Sequence, residues 1–320
     1  MNTPTDFSPL RVAAVIPCYN EALAIARVVE ELRALLPDAQ IHVFDNHSTD
    51  GTADIARAAG AIVTHVALRG KGNVTRRMFA DVEADIYVML DGDATYDVQG
   101  LPGHIAMLVD GNLDMVVGAR VDEGVQAQTY RAGHRFGNRL LTHFVATLFD
   151  GRLSDMLSGY RVLSRRYVKS FPALSGGFEI ETELAIHALE LRMPFAEVPV
   201  RYRARVEGSA SKLSTFGDGY RILGTIGKLF VSERPLLFFS GIAALLALAA
   251  LILVEPLVVT YVRTGLVPRL PTAVLATGTM LTAMLSFVCG VILHTVTMGR
   301  QETKRLSYMA VAGVRGRGGS

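Results

Sequence analysis

The stretch Asp85-Ile-Tyr-Val-Met-Leu-Asp-Gly-Asp93 decides the fold of this chain. Residues 85–90 predict a buried β-strand, because a short apolar run leads without a helical period into a turn. The strand ends at two alternate acids, Asp91 and Asp93, and the glycine between them lets a ligand approach the backbone. Acids in this place suit Mg²⁺ or Mn²⁺ bound largely through diphosphate oxygens. Alone the pattern is weak, since a turn after any strand favours Asp and Gly.

Strand-like runs alternate with helical patterns on both sides of this stretch. Such alternation implies right-handed crossovers and a mainly parallel sheet, with ligands bound at the carboxyl ends of its strands. Strands are predicted at residues 11–16, 40–45, 61–66, 113–119 and 197–202, and helices at 21–36, 52–59, 71–82, 134–148 and 180–191.

The chain becomes strongly apolar after Pro235. Residues 236–254 contain no charged side chain, and residues 272–296 contain none apart from His294, which is neutral when deprotonated. Each run reaches the roughly 20 residues that a helix needs to cross a bilayer. Two buried core helices are the alternative, but runs this long and uninterrupted exceed ordinary core helices. We therefore predict a transmembrane hairpin of two helices.

Basic residues beside the two runs set the expected orientation. The positive-inside rule places both termini in the cytosol, and residues 1–10 lack the basic and apolar regions of a signal peptide. The flanking basic residues are Arg221, Lys228 and Arg234 before the first run and Arg300, Lys304 and Arg305 after the second, whereas the connection holds only Arg263 and Arg269.

Charge and cysteine usage narrow the class of protein. The formal net charge of +2 is too small to indicate a nucleic-acid partner, and no basic block precedes the tail Arg315-Gly-Arg317. Cys18 falls in a predicted strand and Cys289 in an apolar helix, so a structural disulfide is not expected. This usage fits a reducing cytosolic compartment for the soluble part.

Polar residues also follow the first two predicted strands, which end in Pro17-Cys-Tyr-Asn-Glu21 and Asp45-Asn-His-Ser-Thr-Asp-Gly-Thr52. Tyr19 offers a ring for base stacking, Glu21 a carboxylate for a ribose or base edge, and Asp45 an acceptor for a base N–H. Two acids at adjacent strand ends repel each other unless a ligand uses them. We therefore interpret Glu21 and Asp45 as nucleotide-binding residues.

The motifs, in this order and spacing, resemble those of GT-A glycosyltransferases of family 2. Later motifs resemble the polyisoprenyl-phosphate branch of that family, typified by dolichol-phosphate mannose and glucose synthases. The resemblance covers roughly residues 11–225, and the combination is more specific than any one part. It rests on Pro17-Cys-Tyr-Asn-Glu21, Asp45 to Thr52, Gly70-Lys-Gly72, Asp91-Gly-Asp93, Asp155-Met-Leu-Ser-Gly-Tyr-Arg161, Arg205-Val and Ser211-Lys-Leu213.

This resemblance implies an α/β GT-A nucleotide-diphospho-sugar transferase fold, Rossmann-like with a mainly parallel sheet, followed by the transmembrane hairpin. It implies a multi-pass protein of the inner or plasma membrane with a cytoplasmic catalytic domain, and leaves open whether the chain forms a homo-oligomer. Residues 220–230 fit a helix on the membrane surface and a core helix of the soluble domain equally well. The expected parts are an N-terminal tail (1–10), the catalytic domain (11–215), a juxtamembrane amphipathic helix (216–234), the hairpin (235–297) and a cytoplasmic tail (298–320).

The resemblance also implies a role for each matched residue. Asp155 could act as a base, orient a sugar hydroxyl or cap a helix, and for Arg135 simple solvation is the alternative. The nucleotide-sugar would be held by Pro17, Tyr19, Glu21, Asp45, Lys71, Asp91, Arg205 and Lys212, the metal by Asp91 and Asp93, and the acceptor phosphate by Arg120, Arg131 and Arg135, with Asp93, Asp155 and Arg120 as catalytic residues.

Two positions depart from the family pattern. Asn46 replaces the second acid of the usual Asp-Asp pair, and Thr95 stands where a Gln metal ligand is frequent, which puts metal binding at position 95 in doubt. Glu179 and Glu181 open a predicted helix, where the helix dipole favours acids, so we interpret both as structural.

The implied reaction is the inverting transfer of a hexose from UDP-glucose, GDP-mannose or UDP-N-acetylhexosamine to a polyprenyl phosphate. A phosphate oxygen is already a nucleophile at pH 7, so no strong base is required. A processive polysaccharide synthase and a catalytically silent membrane scaffold are the alternatives. The chain has no Trp and hence no Gln-x-x-Arg-Trp element of such synthases. The acids Asp45, Asp91 and Asp93, together with Arg120, argue against a silent scaffold.

Overall fold

In the computed structural model of the chain, residues 10–121, 153–177, 179–203, 205, 224 and 227–314 are described. The predicted helix at 134–148 and most of the predicted helix at 216–234 lie outside these residues. The chain divides into two compact units, one formed by residues 1–222 with 303–320 and the other by residues 223–302.

The first unit is a sheet covered by helices, with ends close to those predicted from the hydrophobic pattern. Its strands are β1 (Val12–Cys18), β2 (Gln40–Asp45), β3 (Ile62–His65), β4 (Ile86–Met89), β5 (Met115–Val121), β6 (Arg161–Ser164) and β7 (Phe195–Arg201). Its helices are α1 (Ile25–Leu35), α2 (Thr52–Ala58), α3 (Lys71–Asp81), α4 (Leu101–Asp110), α5 (Arg165–Ser170) and α6 (Ile180–Glu190).

Within the described residues these strands form one seven-stranded sheet in the order β3-β2-β1-β4-β6-β5-β7. All neighbouring pairs are parallel except those of β6, which runs antiparallel to both β4 and β5. The predicted mainly parallel α/β sheet is confirmed. The reversal of β6 has a consequence for the site, because the residues that precede β6 lie at the carboxyl ends of β4 and β5.

Strand β4 lies at the centre of the core. Each of its residues, from Ile86 to Met89, is at most 1% exposed, which explains the uninterrupted apolar run that leads to Asp91. The buried hydroxyl of Tyr87 has both of its hydrogen-bond partners, because it donates to the Val82 carbonyl at 2.8 Å and accepts from the Ala84 amide. The acids Asp91 and Asp93 therefore follow a strand that is buried along its whole length.

Residues 303–314 complete the first unit from the far end of the sequence. The Tyr308 hydroxyl donates to Asp114 at 2.7 Å, and the Arg166 guanidinium contacts both that carboxylate and the Tyr308 ring. Asp114 is fully buried, so these donors stabilise an otherwise unfavourable charge. Val314 is buried with the core of the sheet.

The second unit contains α7 (Pro235–Thr264) and most of α8 (Leu270–Met309). Both helices are long and apolar enough to cross a membrane, and only 11% and 17% of their most apolar windows are buried, which is unlike core helices. Small side chains let the two helices approach closely, and a Cβ at Gly290 would lie 2.9 Å from that of Phe239. Apart from Pro235 at the start of α7, the buried positions of the two helices recur every seven residues, at Ala243, Ala250 and Leu257 and at Ala276, Ala283, Gly290 and Thr297.

His187 of α6 generates a prediction about stability. Burial, with a smaller effect of the Lys304 charge, lowers the pKa of His187 to about 3. In the unfolded chain a histidine titrates near pH 6.5 (about the value in peptides), so the unfolded state binds a proton that the folded state refuses. This stability is complete above pH 6.5 and is lost progressively as the pH falls towards 3, by about 2 kcal/mol at pH 5.

We expect the substitution His187→Gln, which keeps a partner for the Ser170 hydroxyl 3.0 Å away, to remove this part of the acid sensitivity. The melting temperature of the detergent-solubilised protein should then fall less between pH 7.5 and pH 5 in the variant than in the wild type. Between pH 7.5 and pH 9, above the pKa of a histidine in an unfolded chain, both proteins should change equally. An unchanged acid sensitivity would contradict the assignment.

Candidate active site

The loops after β1 and β2 form one framework at the carboxyl edge of the sheet. Backbone amides of the first loop are bound by side chains of the second, and the reverse also occurs. Several residues of the two predicted motifs therefore serve to hold these two loops together. The bonds run from Asn20 N to Ser48 Oγ (2.9 Å), Glu21 N to Thr52 Oγ1 (2.8 Å), Ala22 N to Asp50 Oδ2 (3.0 Å) and Thr49 N to Asn20 Oδ1 (2.8 Å).

This framework brings the predicted nucleotide-binding residues to one edge. Asp45 is buried, with Oδ2 3.0 Å from His65 Nδ1, and Glu21, three residues after the end of β1, is also buried. Tyr19 is 40% exposed, as a ring that stacks on a base must be. Gly92 closes the edge: a Cβ there would lie 2.6 Å from Cys18 Sγ, so only glycine lets the Asp-Gly-Asp turn rest on β1.

Lys71, the first residue of α3, is held between two carboxylates. Its Nζ lies 2.6 Å from Asp91 Oδ1 and 2.5 Å from Glu181 Oε1, and the side chain is 11% exposed. Burial alone would lower the pKa of Lys71, but the two carboxylates outweigh it and raise that pKa. Burial would raise the pKa of Asp91, and the charge of Lys71 outweighs this and lowers it. The ammonium and the Asp91 carboxylate therefore stay charged at neutral pH.

Glu181 belongs to this site, although its position suggested only a helix start. Burial, reinforced by Asp91, raises the pKa of Glu181 despite the nearby ammonium. The buried Arg161 binds the carbonyls of Glu181 (3.0 Å), Met156 (2.8 Å) and Ser158 (3.2 Å), which fixes the start of α6 against the loop before β6. No local sequence signal marks this contact, because it joins segments far apart in the chain.

Asp93 has both carboxylate oxygens engaged. Oδ1 accepts from the Thr95 hydroxyl (2.6 Å) and amide (3.2 Å), and Oδ2 lies 2.8 Å from Arg205 Nη2. The Asp93 side chain is 5% exposed. Thr95 thus orients Asp93 through a hydroxyl donor, which is a different contribution from that of a metal-ligating Gln.

Asp155 forms a two-pronged ion pair with Arg120. Arg120 Nε lies 2.6 Å from Oδ2 and Nη2 lies 2.8 Å from Oδ1, a geometry that fixes both groups. The Arg120 guanidinium also lies 5.6 Å from the centre of the Tyr202 ring. The Asp155 carboxylate is therefore engaged with Arg120 and starts no helix in the described part of the chain.

Gly159 brings the loop before β6 against Asp91. A Cβ at this position would collide with the Asp91 carboxyl group, so the close approach requires glycine. The Gly159 amide donates to the Tyr96 hydroxyl at 2.8 Å, and the Ser158 hydroxyl donates to the Gly118 carbonyl at 2.6 Å. The Ser-Gly-Tyr part of the later motif thus shapes the pocket around Asp91.

Asn46 has a structural role that explains its departure from the family pattern. Its Nδ2 donates to the carbonyls of Val66 (3.2 Å) and Leu68 (2.8 Å), and its Oδ1 accepts from the Gly70 amide (2.8 Å). A carboxylate could accept from Gly70 but could donate to neither carbonyl. The amide therefore fixes the loop that delivers Lys71.

Asp91 and Asp93 are the groups that could hold a divalent metal. In the described part of the chain no three or more His, Cys, Asp or Glu side chains form a metal-binding cluster, so the protein would offer two carboxylates at most. Hard oxygen ligands completed by diphosphate oxygens suit Mg²⁺ and Mn²⁺. The Arg205 guanidinium on Asp93 Oδ2 also shows that a cation is accommodated there. The residues fit the predicted metal, whereas Arg131, Arg135 and Lys212 lie outside the described residues.

Comparisons with known proteins point to one enzyme family. Residues 13–171 match the family model for glycosyl transferase family 2. Glycosyltransferase AglJ of Haloferax volcanii is 33% identical over 236 residues, 73% of this chain and 77% of that protein. The dolichyl-phosphate hexose transferase of the same organism is 28% identical over 230 residues, 72% of this chain and 98% of that protein.

A solved structure shares the fold. Glucosyl-3-phosphoglycerate synthase from Mycobacterium tuberculosis, in complex with Mn²⁺, UDP-glucose and glycerol 3-phosphate, superposes with a TM-score of 0.55 and 25% identity. The match covers 68% of this chain and 79% of that one. The predicted GT-A fold is confirmed.

Asn46 provides a test of the loop that carries Lys71. Asn46→Asp should lower the free energy of unfolding by about 1–3 kcal/mol, because two carbonyls lose their donor and face a carboxylate. Asn73→Asp is the matched control, since Asn73 makes an exposed amide contact to the Arg69 carbonyl near the same loop and should cost less than about 0.5 kcal/mol. Chemical denaturation followed by circular dichroism measures both, and equal effects would contradict the role of Asn46.

Proposed function

Because the chain belongs to glycosyl transferase family 2, we propose that it transfers a hexose, with inversion, from a nucleotide-sugar to a polyprenyl phosphate. The product would be a polyprenyl-phosphate-linked sugar for the assembly of cell-envelope glycans or glycoproteins. UDP-glucose, GDP-mannose and UDP-N-acetylhexosamine are the candidate donors. The chain is a glycosyltransferase, and the donor and acceptor are the proposal.

One observation carries the proposal: acids and bases alternate at a single edge of the sheet, in the pairs Asp91 with Lys71, Asp93 with Arg205 and Asp155 with Arg120. A reaction between an anionic diphosphate donor and an anionic lipid phosphate needs cations between the two, since their charges otherwise repel. It also needs carboxylates for a metal and for sugar hydroxyls. This edge offers both kinds of group within one site.

The donor would lie over the ends of β1, β2 and β4. Tyr19 would stack on the base, Glu21 and Asp45 would accept from the nucleoside, and Pro17 would shape the wall of the pocket. Lys71, Arg205 and Lys212 would face the diphosphate. Asp91 and Asp93 would hold Mg²⁺ or Mn²⁺, which when bound neutralises the diphosphate and stabilises it as a leaving group.

The acceptor would meet the sugar from the side of Arg120. With Arg131 and Arg135, this arginine would bind the lipid phosphate and bring its oxygen behind the anomeric carbon. The attacking oxygen carries no proton at neutral pH, so a strong base is unnecessary. Asp155 suits the orientation of a sugar hydroxyl better than proton abstraction, because Arg120 already binds both of its carboxylate oxygens.

The apolar helices support a membrane location for this reaction. Helices α7 and α8 would form a hairpin in the inner or plasma membrane, with both termini and the catalytic domain in the cytoplasm. A polyprenyl phosphate keeps its chain in the bilayer, so a tethered enzyme meets its acceptor at the surface. One relative, the dolichyl-phosphate hexose transferase, has a polyprenyl phosphate in its name.

A transfer assay tests the function. The detergent-purified full chain, given undecaprenyl or dolichyl phosphate and each candidate donor with Mn²⁺ or Mg²⁺, should form a lipid-linked monosaccharide from one donor. The product is measured by thin-layer chromatography and mass spectrometry. A polymeric product would favour the synthase alternative, and no transfer from any donor would refute the proposal.

Asp93 provides a sharper test of the site. Asp93→Asn should lower kcat by about 10²–10³-fold, because the charge that holds the metal is lost, while melting temperature shows that folding persists. Asp97→Asn is the matched control, since Asp97 pairs with Arg203 near the same edge and should retain activity. Full activity of the Asp93 variant would remove this residue from the metal site.

A further inference from the structure

Arg205 lies where a metal on Asp93 would have to bind. Asp93 Oδ1 is held by Thr95, so Oδ2 is the oxygen best placed to take a cation, and Arg205 Nη2 lies 2.8 Å from it. The Asp93 side chain is 5% exposed, and a carboxylate so deeply buried requires a counter-charge. A metal on Oδ2 would therefore have to displace the guanidinium or share this oxygen with it.

Lys71 does not permit the same exchange at Asp91. Its ammonium is held by two carboxylates and is 11% exposed, whereas the Arg205 side chain is 30% exposed. Withdrawal of Lys71 would leave two carboxylates, Asp91 and Glu181, without the ammonium that joins them. Of the two cations, the Arg205 guanidinium is the more exposed to solvent, so it is the one that we expect to move.

We propose, on the basis of the function proposed above, that Arg205 is an internal counter-cation that excludes metal from Asp93 until a nucleoside diphosphate is present. Metal alone would leave two positive groups, the ion and the displaced guanidinium, side by side. A bound diphosphate gives the guanidinium a new anionic partner and gives the metal its remaining ligands. Metal and donor then bind cooperatively, and a linkage of this kind is reciprocal.

The exchange makes Arg205 a positioning residue with two successive partners. Before binding it neutralises Asp93, and after binding it neutralises the diphosphate. Charge near Asp93 is balanced in both states, and only the half-loaded state with metal alone is penalised. The enzyme would thus not keep a divalent metal without donor.

Direct Mn²⁺ binding to the detergent-purified full chain tests this without any turnover. Free Mn²⁺ is measured by electron paramagnetic resonance, first with Mn²⁺ alone and then with UDP or GDP. The wild type should bind Mn²⁺ weakly alone and more tightly with one of the nucleotides. Arg205→Gln should bind Mn²⁺ alone about three- to tenfold more tightly than the wild type, since a competing, partly exposed ion pair is gone.

Three further variants control the result. Arg205→Lys keeps the positive charge and should stay close to the wild type, which separates competition by charge from misfolding. Arg203→Gln, which removes an exposed pair with Asp97, should leave Mn²⁺ affinity unchanged. Asp93→Asn in the Arg205→Gln background should abolish the gain.

An Arg205→Gln variant with the melting temperature of the wild type and no gain in Mn²⁺ affinity would overturn the exchange. The outcome is independent of the acceptor: a chain that shows the gain but transfers no sugar to polyprenyl phosphate would retain the exchange and lose the proposed acceptor. If the chain transfers sugar but Arg205→Gln brings no gain in Mn²⁺ affinity, the proposed acceptor is retained and the exchange is refuted.

Discussion

The Lys71 ammonium, held between Asp91 and Glu181, is the interaction on which the rest of the site depends. Its partners come from the end of β4 and the first turn of α6, so one buried cation joins three elements. An unpaired charge at this depth would be strongly unfavourable, which means that none of the three elements can shift alone. The amide of Asn46 and the guanidinium of Arg161 have the same purpose at longer range, because they fix the loops that deliver Lys71 and Glu181.

Charge balance then explains why acids and bases occur in pairs at this edge. The site must attract anionic substrates and also offer carboxylates, yet it has to remain folded without ligands. At about 4 Å and an effective dielectric constant of roughly 20, one pair of opposite charges is worth about 4 kcal/mol before desolvation is counted. Internal pairing, as between Asp155 and Arg120, keeps each group oriented until a substrate competes for it. The arrangement of these groups before any substrate binds is thus a property of the protein itself.

Much of the fold and part of the site could be predicted from local sequence. The apolar run 85–90 and the acids after it predicted β4 and its edge, because burial on both faces leaves a clear pattern. Contacts that join distant segments could not be found in the same way. In the sequence, Glu181 looks like any acid in the first turn of a helix, and Asn46 looks like the loss of one acid from an Asp-Asp pair. The structure shows that Asn46 supplies the N–H donors for two carbonyls of the loop at 66–70. The role of such a residue depends on the side chain or carbonyl that it contacts, and the topology of the fold decides which distant segment supplies that contact.

The reversal of β6 shows how topology assigns roles that a motif alone does not. Because β6 runs antiparallel to β4, the chain enters it from the carboxyl edge and places Gly159 against Asp91 and Asp155 against Arg120. A parallel β6 would put the same residues at the opposite edge, away from the acids. The motif around residues 155–161 therefore reaches the site only because β6 runs antiparallel to its neighbours. Its buried Arg161 binds this loop and the start of α6 at once, and at that start the Glu181 side chain contacts Lys71.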